Sequence, residues 1–356
     1  MSVYVHDVNW GADHLEQKLR DGNGEINFVH VNHNDSDSGN LIRCARKSTF
    51  ARDNLIVLAN HGYYSYMSDG DQTRFVHEGS IPNLWKPVKD GKYDVSPDGL
   101  IFSVSEPQVK NAKPKLVVLF ASMFRRIYTP YLVRHMAPNF MSLQKYISQD
   151  AYVVRLADIG GILGSFYLNT RFCPDNTSRI QRLLNHLMLT LGVNKEDIVL
   201  YGGSKGGTGA LFHGLLGGYQ FVSVDPIVSD RHYEDKLDDM HFTSRSHERT
   251  IFDRSKDDTF AELMRSYGRN RDNFQSDEAQ TGAAGIIVTS ERSPQYKYIT
   301  NVIGDPARAN LGLFESSNPK INSHPEVSRN TIHTVTMGMN AMLAGVAIGP
   351  GVYSIV

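Results

Sequence analysis

A serine among glycines has the setting in this sequence that best suits covalent chemistry. Ser204 lies in the stretch Gly202-Gly203-Ser204-Lys205-Gly206, directly after the apolar run 198–201. This stretch fits the G-x-S-x-G nucleophile elbow, in which the serine occupies a sharp turn between a strand and a helix and small neighbours let the two backbones approach. The pattern therefore predicts that Ser204 is a nucleophile, with a strand before it and a helix after it.

Other glycine-rich turns must be weighed against the elbow. Phosphate-binding loops and ordinary strand-to-helix turns also carry several glycines. Lys205 follows Ser204 directly, so the order G-x-x-x-x-G-K-[ST] is not met, and no G-x-G-x-x-G opens a strand–helix–strand unit here. A purely structural turn remains the alternative to a nucleophile.

A serine hydroxyl needs an imidazole to accept its proton and a carboxylate to orient that imidazole. In α/β-hydrolases these groups follow the nucleophile in the order acid, then histidine. Glu291, just past a predicted strand, and His324, before a predicted last helix, fit that order. Some alternatives stay open, namely Asp225 or Asp230 as the acid and His333 as the base.

An acyl-transfer site also needs N–H donors for the developing oxyanion. The backbone N–H of Lys205, directly after the nucleophile, is one predicted donor. A second is expected after the predicted strand 116–120, at Ser122 or Met123.

Two adjacent arginines follow the end of the predicted strand 116–120. Arginine forks bind phosphate and carboxylate groups in a bidentate manner, so Arg125 and Arg126 are candidate contacts for an anionic substrate. A pair of solvated arginines is the alternative. Asp225, followed by Pro226, is a further candidate for the wall of the substrate pocket.

Alternating strands and helices must position these groups. Between residues 115 and 345, apolar runs alternate with amphipathic stretches, which predicts an α/β-hydrolase-like, doubly wound and mainly parallel sheet. We predict a catalytic domain over 111–356 with a cap insertion at about 229–280, and an N-terminal α/β extension over 1–110 that packs on the sheet or continues it. The predicted strands are 26–31, 55–59, 100–104, 116–120, 152–156, 198–201, 221–224, 285–289 and 309–315, and the predicted helices are 131–148, 178–191, 258–267 and 329–344.

Composition narrows the function classes. The 37 basic and 38 acidic residues give a net charge of −1, so no overall field favours nucleic acid or an anionic membrane. Two distant cysteines form neither a disulfide framework nor a metal motif.

His30, His33 and Asp35 lie close in sequence, but alternate strand residues face opposite ways, and no metal site is predicted. The sequence shows no signal peptide and no transmembrane run, so we expect a cytoplasmic protein.

Four blocks of the sequence resemble the XcbB/CpsF family of capsular polysaccharide biosynthesis proteins. They are 155–161 (RLADIGG), 164–170 (GSFYLNT), 201–211 (YGGSKGGTGAL) and 223–230 (SVDPIVSD). The family is similar, at a distance, to the α/β-hydrolase-type subunit of the bacterial accessory Sec system that O-acetylates sugars. That relative uses serine, glutamate and histidine in chain order, which favours Glu291 over Asp225 as the acid.

The resemblance implies work on a capsule polymer or its precursor in the cytoplasm. The leading expectation is O-acetylation of a capsular saccharide with acetyl-CoA as the acyl donor, no bound cofactor, and an acyl-Ser204 intermediate. A capsule biosynthesis complex at the inner face of the membrane is the expected partner. A carbohydrate esterase and a non-catalytic scaffold or glycan-binding subunit are the alternatives.

Overall fold

The computed structural model describes residues 2–110, 113–237, 249–273 and 284–356. Its strands are β1 Ser2–Asp7, β2 Ile26–Asn32, β3 Tyr63–Asp69, β4 Gln72–His77, β5 Asp94–Val95, β6 Ile101–Ser105, β7 Lys115–Phe120, β8 Ala151–Leu156, β9 Ile198–Gly203, β10 Gln220–Val224, β11 Gly285–Thr289, β12 Leu311–Ser316 and β13 Gly351–Ile355. Its helices are α1 Ala12–Asp21, α2 Leu41–Cys44, α3 Thr49–Asn60, α4 Ile81–Leu84, α5 Lys86–Lys89, α6 Asn176–Leu191, α7 Lys205–Gly217, α8 Arg231–Leu237, α9 Lys256–Asn273, α10 Tyr296–Ile303, α11 His324–Asn330 and α12 Ile332–Leu343.

A nine-stranded sheet forms the centre of the molecule, in the order β13-β12-β11-β10-β9-β7-β8-β6-β5. The strands from β13 to β8 in this order pair in parallel, and β6 and β5 add an antiparallel edge. Side chains of β7 alternate between two buried clusters, with Leu116, Val118 and Phe120 in one and Val117 and Leu119 in the other. Because helices cover both faces, the central strands are mainly apolar. The predicted fold class, an α/β-hydrolase-like and mainly parallel sheet, is confirmed.

The N-terminal residues build a second, four-stranded sheet in the order β1-β2-β4-β3. Helices α1 and α3 pack together beside it, and Leu15 and Leu58 join the large core cluster that also contains the first face of β7. Strands β5 and β6, by contrast, extend the central sheet. The first 110 residues therefore supply both a separate sheet and one edge of the main one.

Two predicted elements are wrong, and each has a local reason. The run 55–59 is part of helix α3 rather than a strand, because Ser48 caps the helix by accepting from the N–H of Ala51 and the run is buried all around. An uninterrupted apolar run cannot by itself distinguish a buried strand from a buried helix. The predicted helix 131–148 is replaced by two 3₁₀ turns, Leu132–His135 and Leu143–Lys145, with Pro138 between them.

The C-terminal end also differs from the prediction. Strand β12 is not the last strand, since β13 pairs with it at the edge of the sheet. The predicted helix 329–344 is two helices, α11 and α12, and the first of them begins at His324. None of the helices in the part of the chain that the structure describes is long and apolar enough to cross a bilayer.

Candidate active site

The nucleophile turn has the predicted strand–turn–helix form. Strand β9 ends at Gly203, helix α7 begins at Lys205, and Ser204 between them has φ 56° and ψ −122°. Such a backbone conformation costs a side-chain-bearing residue free energy and persists where the surroundings enforce it. A Cβ on Gly202 would lie 2.1 Å from the carbonyl oxygen of Gly206, so glycine is required where strand and helix meet.

Ser204, His324 and Asp225 form one hydrogen-bonded chain. Ser204 Oγ lies 2.7 Å from His324 Nε2, and His324 Nδ1 lies 2.6 Å from Asp225 Oδ2. A carboxylate accepts, so the Nδ1–H donates to Asp225 and Nε2 accepts from the Ser204 hydroxyl. The contact predicted between Ser204 and His324 is present. The arrangement matches the geometry by which a serine is activated for nucleophilic attack.

The prediction that Glu291 is the carboxylate partner of His324 is wrong. Asp225 occupies that position, with its side chain 1% exposed, whereas Glu291 is exposed to solvent. Asp225 follows β10 and Glu291 follows β11, and these strands are parallel neighbours. Position at a strand end therefore could not decide which of the two is the partner of His324. Burial decides in favour of Asp225, because a hydrogen bond to a buried carboxylate is shielded from competing water.

The other two alternatives lie elsewhere. His333 is an exposed residue of α12. Asp230 is paired with Lys256, whose Nζ lies 2.5 Å from its carboxylate. Lys256 begins helix α9, so this buried pair joins two parts of the predicted insertion, the segment before α8 and the start of α9. Residues 238–248 and 274–280 of the predicted insertion lie outside the described residues.

Two hydroxyl groups that the sequence analysis missed hold the Asp225 carboxylate. Thr289 Oγ1 donates to Oδ1 at 2.6 Å, and Ser293 Oγ donates to Oδ2 at 2.5 Å. The backbone of Asp225 is also fixed, since its N–H donates to the carbonyl of Val288 and its φ is 45°. The available signal was a hydroxyl residue at the end of β11, Thr289, and another four residues later, Ser293, since β11 neighbours β10.

The predicted oxyanion donors lie at neighbouring strand ends. Phe120 of β7 pairs with Gly202 of β9, so the residues after each strand run side by side. A Cβ on Gly206 would come within 2.2 Å of the Phe120 carbonyl oxygen, which shows how closely α7 approaches the end of β7. The Lys205 N–H is in the first turn of α7, where helix N–H groups have no partner within the helix. Met123 is half-buried three residues after β7. The roles of Lys205 and Met123 as donors stay predictions.

The loop after β8 braces both of these backbone segments. The Lys205 side chain is buried and its Nζ lies 3.0 Å from Asp158 Oδ2. Tyr167 Oη donates to the carbonyl of Ala121 at 3.1 Å, just before the predicted Met123 donor. Asp158 itself accepts from the backbone N–H groups of Ser165 and Phe166. The Lys205 side chain is therefore shielded from solvent and anchors the start of α7.

Helix α8 brings a second imidazole toward the site. His232 is half-buried, and its ring centroid lies 6.4 Å from that of Tyr298. Burial, together with the nearby charge of His324, Lys297 and Lys236, lowers the pKa of His232 below its usual value.

Two of the three predicted substrate contacts are exposed, and the third is buried in the triad. Arg125 and Arg126 are solvent-accessible, and neither forms an ion pair with any residue that the structure describes. Asp225, predicted also as a pocket wall, is instead the buried partner of His324. A cavity of about 380 Å³ lies between α7, α9 and the 168–177 segment, with Phe212 and Leu216 in its lining, and none of the triad residues lines it.

No family model matches this chain, and no curated protein matches it either. Solved structures that resemble it include FphF, a fluorophosphonate-binding serine hydrolase of Staphylococcus aureus, with 16% identity over 70% of this chain and 96% of that one and a TM-score of 0.48. Another is the capsule O-acetyltransferase of Neisseria meningitidis serogroup A, with 17% identity over 68% of this chain and 93% of that one and a TM-score of 0.43.

A third similar structure is the Glycosylation Associate Protein (Gap123) complex from Streptococcus agalactiae, with 14% identity over 77% of this chain and 50% of that one and a TM-score of 0.40. At such identities and TM-scores the likeness does not identify a substrate or a reaction. The function is therefore argued from the residues of this chain, and the resemblance to the XcbB/CpsF family stays a prediction.

Proposed function

We propose that this protein is a serine-dependent acyltransferase that O-acetylates a capsular saccharide. The observation that carries the proposal is the hydrogen-bonded chain from Ser204 Oγ through His324 to the buried Asp225 carboxylate. Such a chain makes a hydroxyl nucleophilic toward an acyl carbon. The saccharide acceptor is supported by the four sequence blocks that resemble capsule biosynthesis proteins.

The first half of the reaction transfers the acyl group to the protein. Ser204 Oγ attacks the carbonyl carbon of an acetyl thioester such as acetyl-CoA while His324 Nε2 takes the hydroxyl proton. The Asp225 carboxylate stabilises the resulting imidazolium, and the N–H groups of Lys205 and Met123 face the oxyanion. The carbon–sulfur bond then breaks, and His324 returns the proton to the departing thiolate.

The second half delivers the acyl group to the acceptor. His324, neutral again, removes a proton from a sugar hydroxyl, whose oxygen attacks the acyl carbon of acyl-Ser204. The ester bond to Ser204 breaks, and the proton passes from His324 to the serine oxygen. If water attacks in place of the sugar, the same residues give an esterase.

The number of acetyl groups that the saccharide gains or loses distinguishes the transferase from the esterase. Purified protein is incubated with acetyl-CoA and capsule oligosaccharide, and the mass of the saccharide is followed. We expect a gain of acetyl groups that depends on Ser204 and His324. Loss of acetyl groups from a pre-acetylated oligosaccharide, without any gain from acetyl-CoA, would establish the esterase instead. A scaffold would change neither substrate.

A further inference from the structure

A surface of exposed basic residues joins the N-terminal sheet unit to the loop after β7. Five cationic side chains make it up, and we call it the basic surface: Arg43, Arg46, Lys47, Arg125 and Arg126. All five are exposed. None of them forms an ion pair with a residue in the described ranges.

Direct contacts hold the two parts of this surface together. Asn40 Nδ2 donates to the carbonyl of Tyr128 at 3.2 Å. The Arg46 guanidinium lies over the Tyr128 ring, 4.7 Å from its centroid. Tyr128 belongs to a turn in which the N–H of Thr129 donates to the carbonyl of Arg126. Segment 40–47 therefore lies against segment 125–129, which brings their cationic residues into one region of the surface.

The positive charge of this surface is only partly offset. Asp35 and Asp37 lie in the preceding loop, and Asp35 interacts electrostatically with Lys47. The Asp35 carboxylate is engaged by hydrogen bonds from Ser38. Asp71 also borders this loop, since its carbonyl accepts from the His33 N–H. Five cations against these three carboxylates leave a local excess of positive charge on a chain whose overall net charge is −1. Such an excess attracts an anion to one place on the surface rather than to the whole molecule.

The basic surface begins close to the nucleophile. Ser122 Oγ lies 3.7 Å from where a Cβ on Gly203 would sit, and Gly203 precedes Ser204. Arg125 follows Ser122 by three residues, so their Cα atoms are at most about 11 Å apart. A polymer bound along the surface can therefore present one of its units at Ser204.

We infer that the basic surface binds an anionic glycan, a saccharide polymer carrying phosphate or carboxylate groups, and that this is the acceptor of the proposed reaction. Arginine is suited to this role because its planar fork matches phosphate and carboxylate oxygens. The inference rests on the proposed function for the identity of the acceptor. It also gives the N-terminal unit a role, since three of the five cations belong to it.

Binding to a defined probe tests the inference without requiring turnover. Phosphorylated dextran and unmodified dextran of the same length are titrated against the full-length protein at low and at high salt. We expect phosphorylated dextran to bind and unmodified dextran not to bind. The binding should be weaker at high salt, because counter-ions screen exposed charges. The double variant Arg46→Glu/Arg126→Glu should bind about tenfold more weakly, a change of about 1.4 kcal/mol.

A matched pair elsewhere serves as the control. Lys89→Glu/Lys92→Glu makes the same change of charge at exposed positions far along the chain from the basic surface and should bind like the wild type. Equal loss in both double variants would overturn the inference, because only overall charge would then matter. Binding to phosphatidylglycerol vesicles with none to phosphorylated dextran would also overturn it.

Labelling of Ser204 by a fluorophosphonate separates this inference from the proposed function. Unchanged labelling in Arg46→Glu/Arg126→Glu, together with weaker polymer binding, supports the basic surface and shows that the fold is intact. Labelling without any effect of the double variant on binding would reject the basic surface and leave the proposed function standing. Polymer binding without labelling would reject the enzyme and retain the surface.

Discussion

Asp225 is well placed to hold His324 because neighbouring side chains fix its carboxylate. Its two carboxylate oxygens accept from Thr289, Ser293 and His324. A carboxylate held in this position can stabilise the imidazolium that forms on His324. The two hydroxyl residues also keep the carboxylate from rotating away from His324 Nδ1.

Removing the negative charge of Asp225 should therefore impair the chemistry. We expect Asp225→Asn to lower kcat for acyl transfer by about 10³–10⁴-fold, because the amide favours the wrong imidazole tautomer. Steady-state kinetics with acetyl-CoA measures the effect. Glu291→Gln is the matched control and should keep wild-type kcat; a large loss in this variant with little in Asp225→Asn would restore Glu291 as the acid.

The nucleophile and the histidine could be predicted because a short sequence motif and the order of residues along the chain were enough to find them. Ser204 lies in a short motif with a strict backbone requirement, and His324 follows from chain order. The choice between Asp225 and Glu291 depends on which side chain is buried against the imidazole. That is a property of tertiary packing, and both residues look alike from the strand ends that carry them.

At the scale of elements, the loop after β8 acts as a brace for the active-site backbone. Asp158 holds the start of α7 through Lys205, and Tyr167 holds the end of β7 through Ala121. Both contacts are buried. A buried ion pair adds little stability compared with a well-packed apolar pair, but breaking it leaves an uncompensated charge.

Asp158→Ala should reduce the free energy of unfolding by about 3–5 kcal/mol, because the Lys205 ammonium group stays buried without its partner. Urea denaturation measures this loss. The double variant Asp158→Leu/Lys205→Met should recover only part of it, because the buried N–H groups of Ser165 and Phe166 stay without their acceptor. As a control, Asp98→Ala breaks the exposed pair with Arg182 and should cost less than about 1 kcal/mol. Similar costs for both single variants would contradict the account of the brace.

Elements were predictable where the hydrophobic period and the turn residues agreed, as in β7, β9 and α6. They were mispredicted where a local signal competed with the pattern. Pro138 interrupts a helix-like pattern, and the apolar run in α3 fits either a strand or a helix. Strand β13 was missed because it is a short edge strand whose alternating burial gives only a weak signal.

At the scale of the whole molecule, buried histidines link stability to pH. His213 lies in the core between the Tyr167 carbonyl, which accepts from Nε2, and the amide of Gln181, which donates to Nδ1. Burial lowers the pKa of His213 to about 4. His135 is shifted in the same direction, with its pKa well below the usual value because of burial and the nearby charges of Arg134 and Lys205.

These shifts predict loss of stability in mild acid. The unfolded chain takes up a proton on His213 near pH 6.5 and the folded chain only near pH 4, so stability is lost as pH falls between these values. From pH 7.5 to 5 His213 should account for about 2 kcal/mol of the lost unfolding free energy. Urea titrations at both pH values should show a smaller loss in His213→Gln than in the wild type.

His186→Gln is the control for this prediction. His186 is exposed on α6, so its replacement should leave the pH dependence of the wild type unchanged. A pH dependence that is the same in all three proteins would contradict the assignment of His213.

The central claim is that Ser204 is a nucleophile activated by His324, and the mass of the protein after reaction with a fluorophosphonate tests it most directly. We expect a single adduct, located on Ser204 by peptide mapping, that is absent in Ser204→Ala and forms at least about 10³-fold more slowly in His324→Ala. No adduct, an adduct on another residue, or labelling of His324→Ala at the wild-type rate would contradict the account.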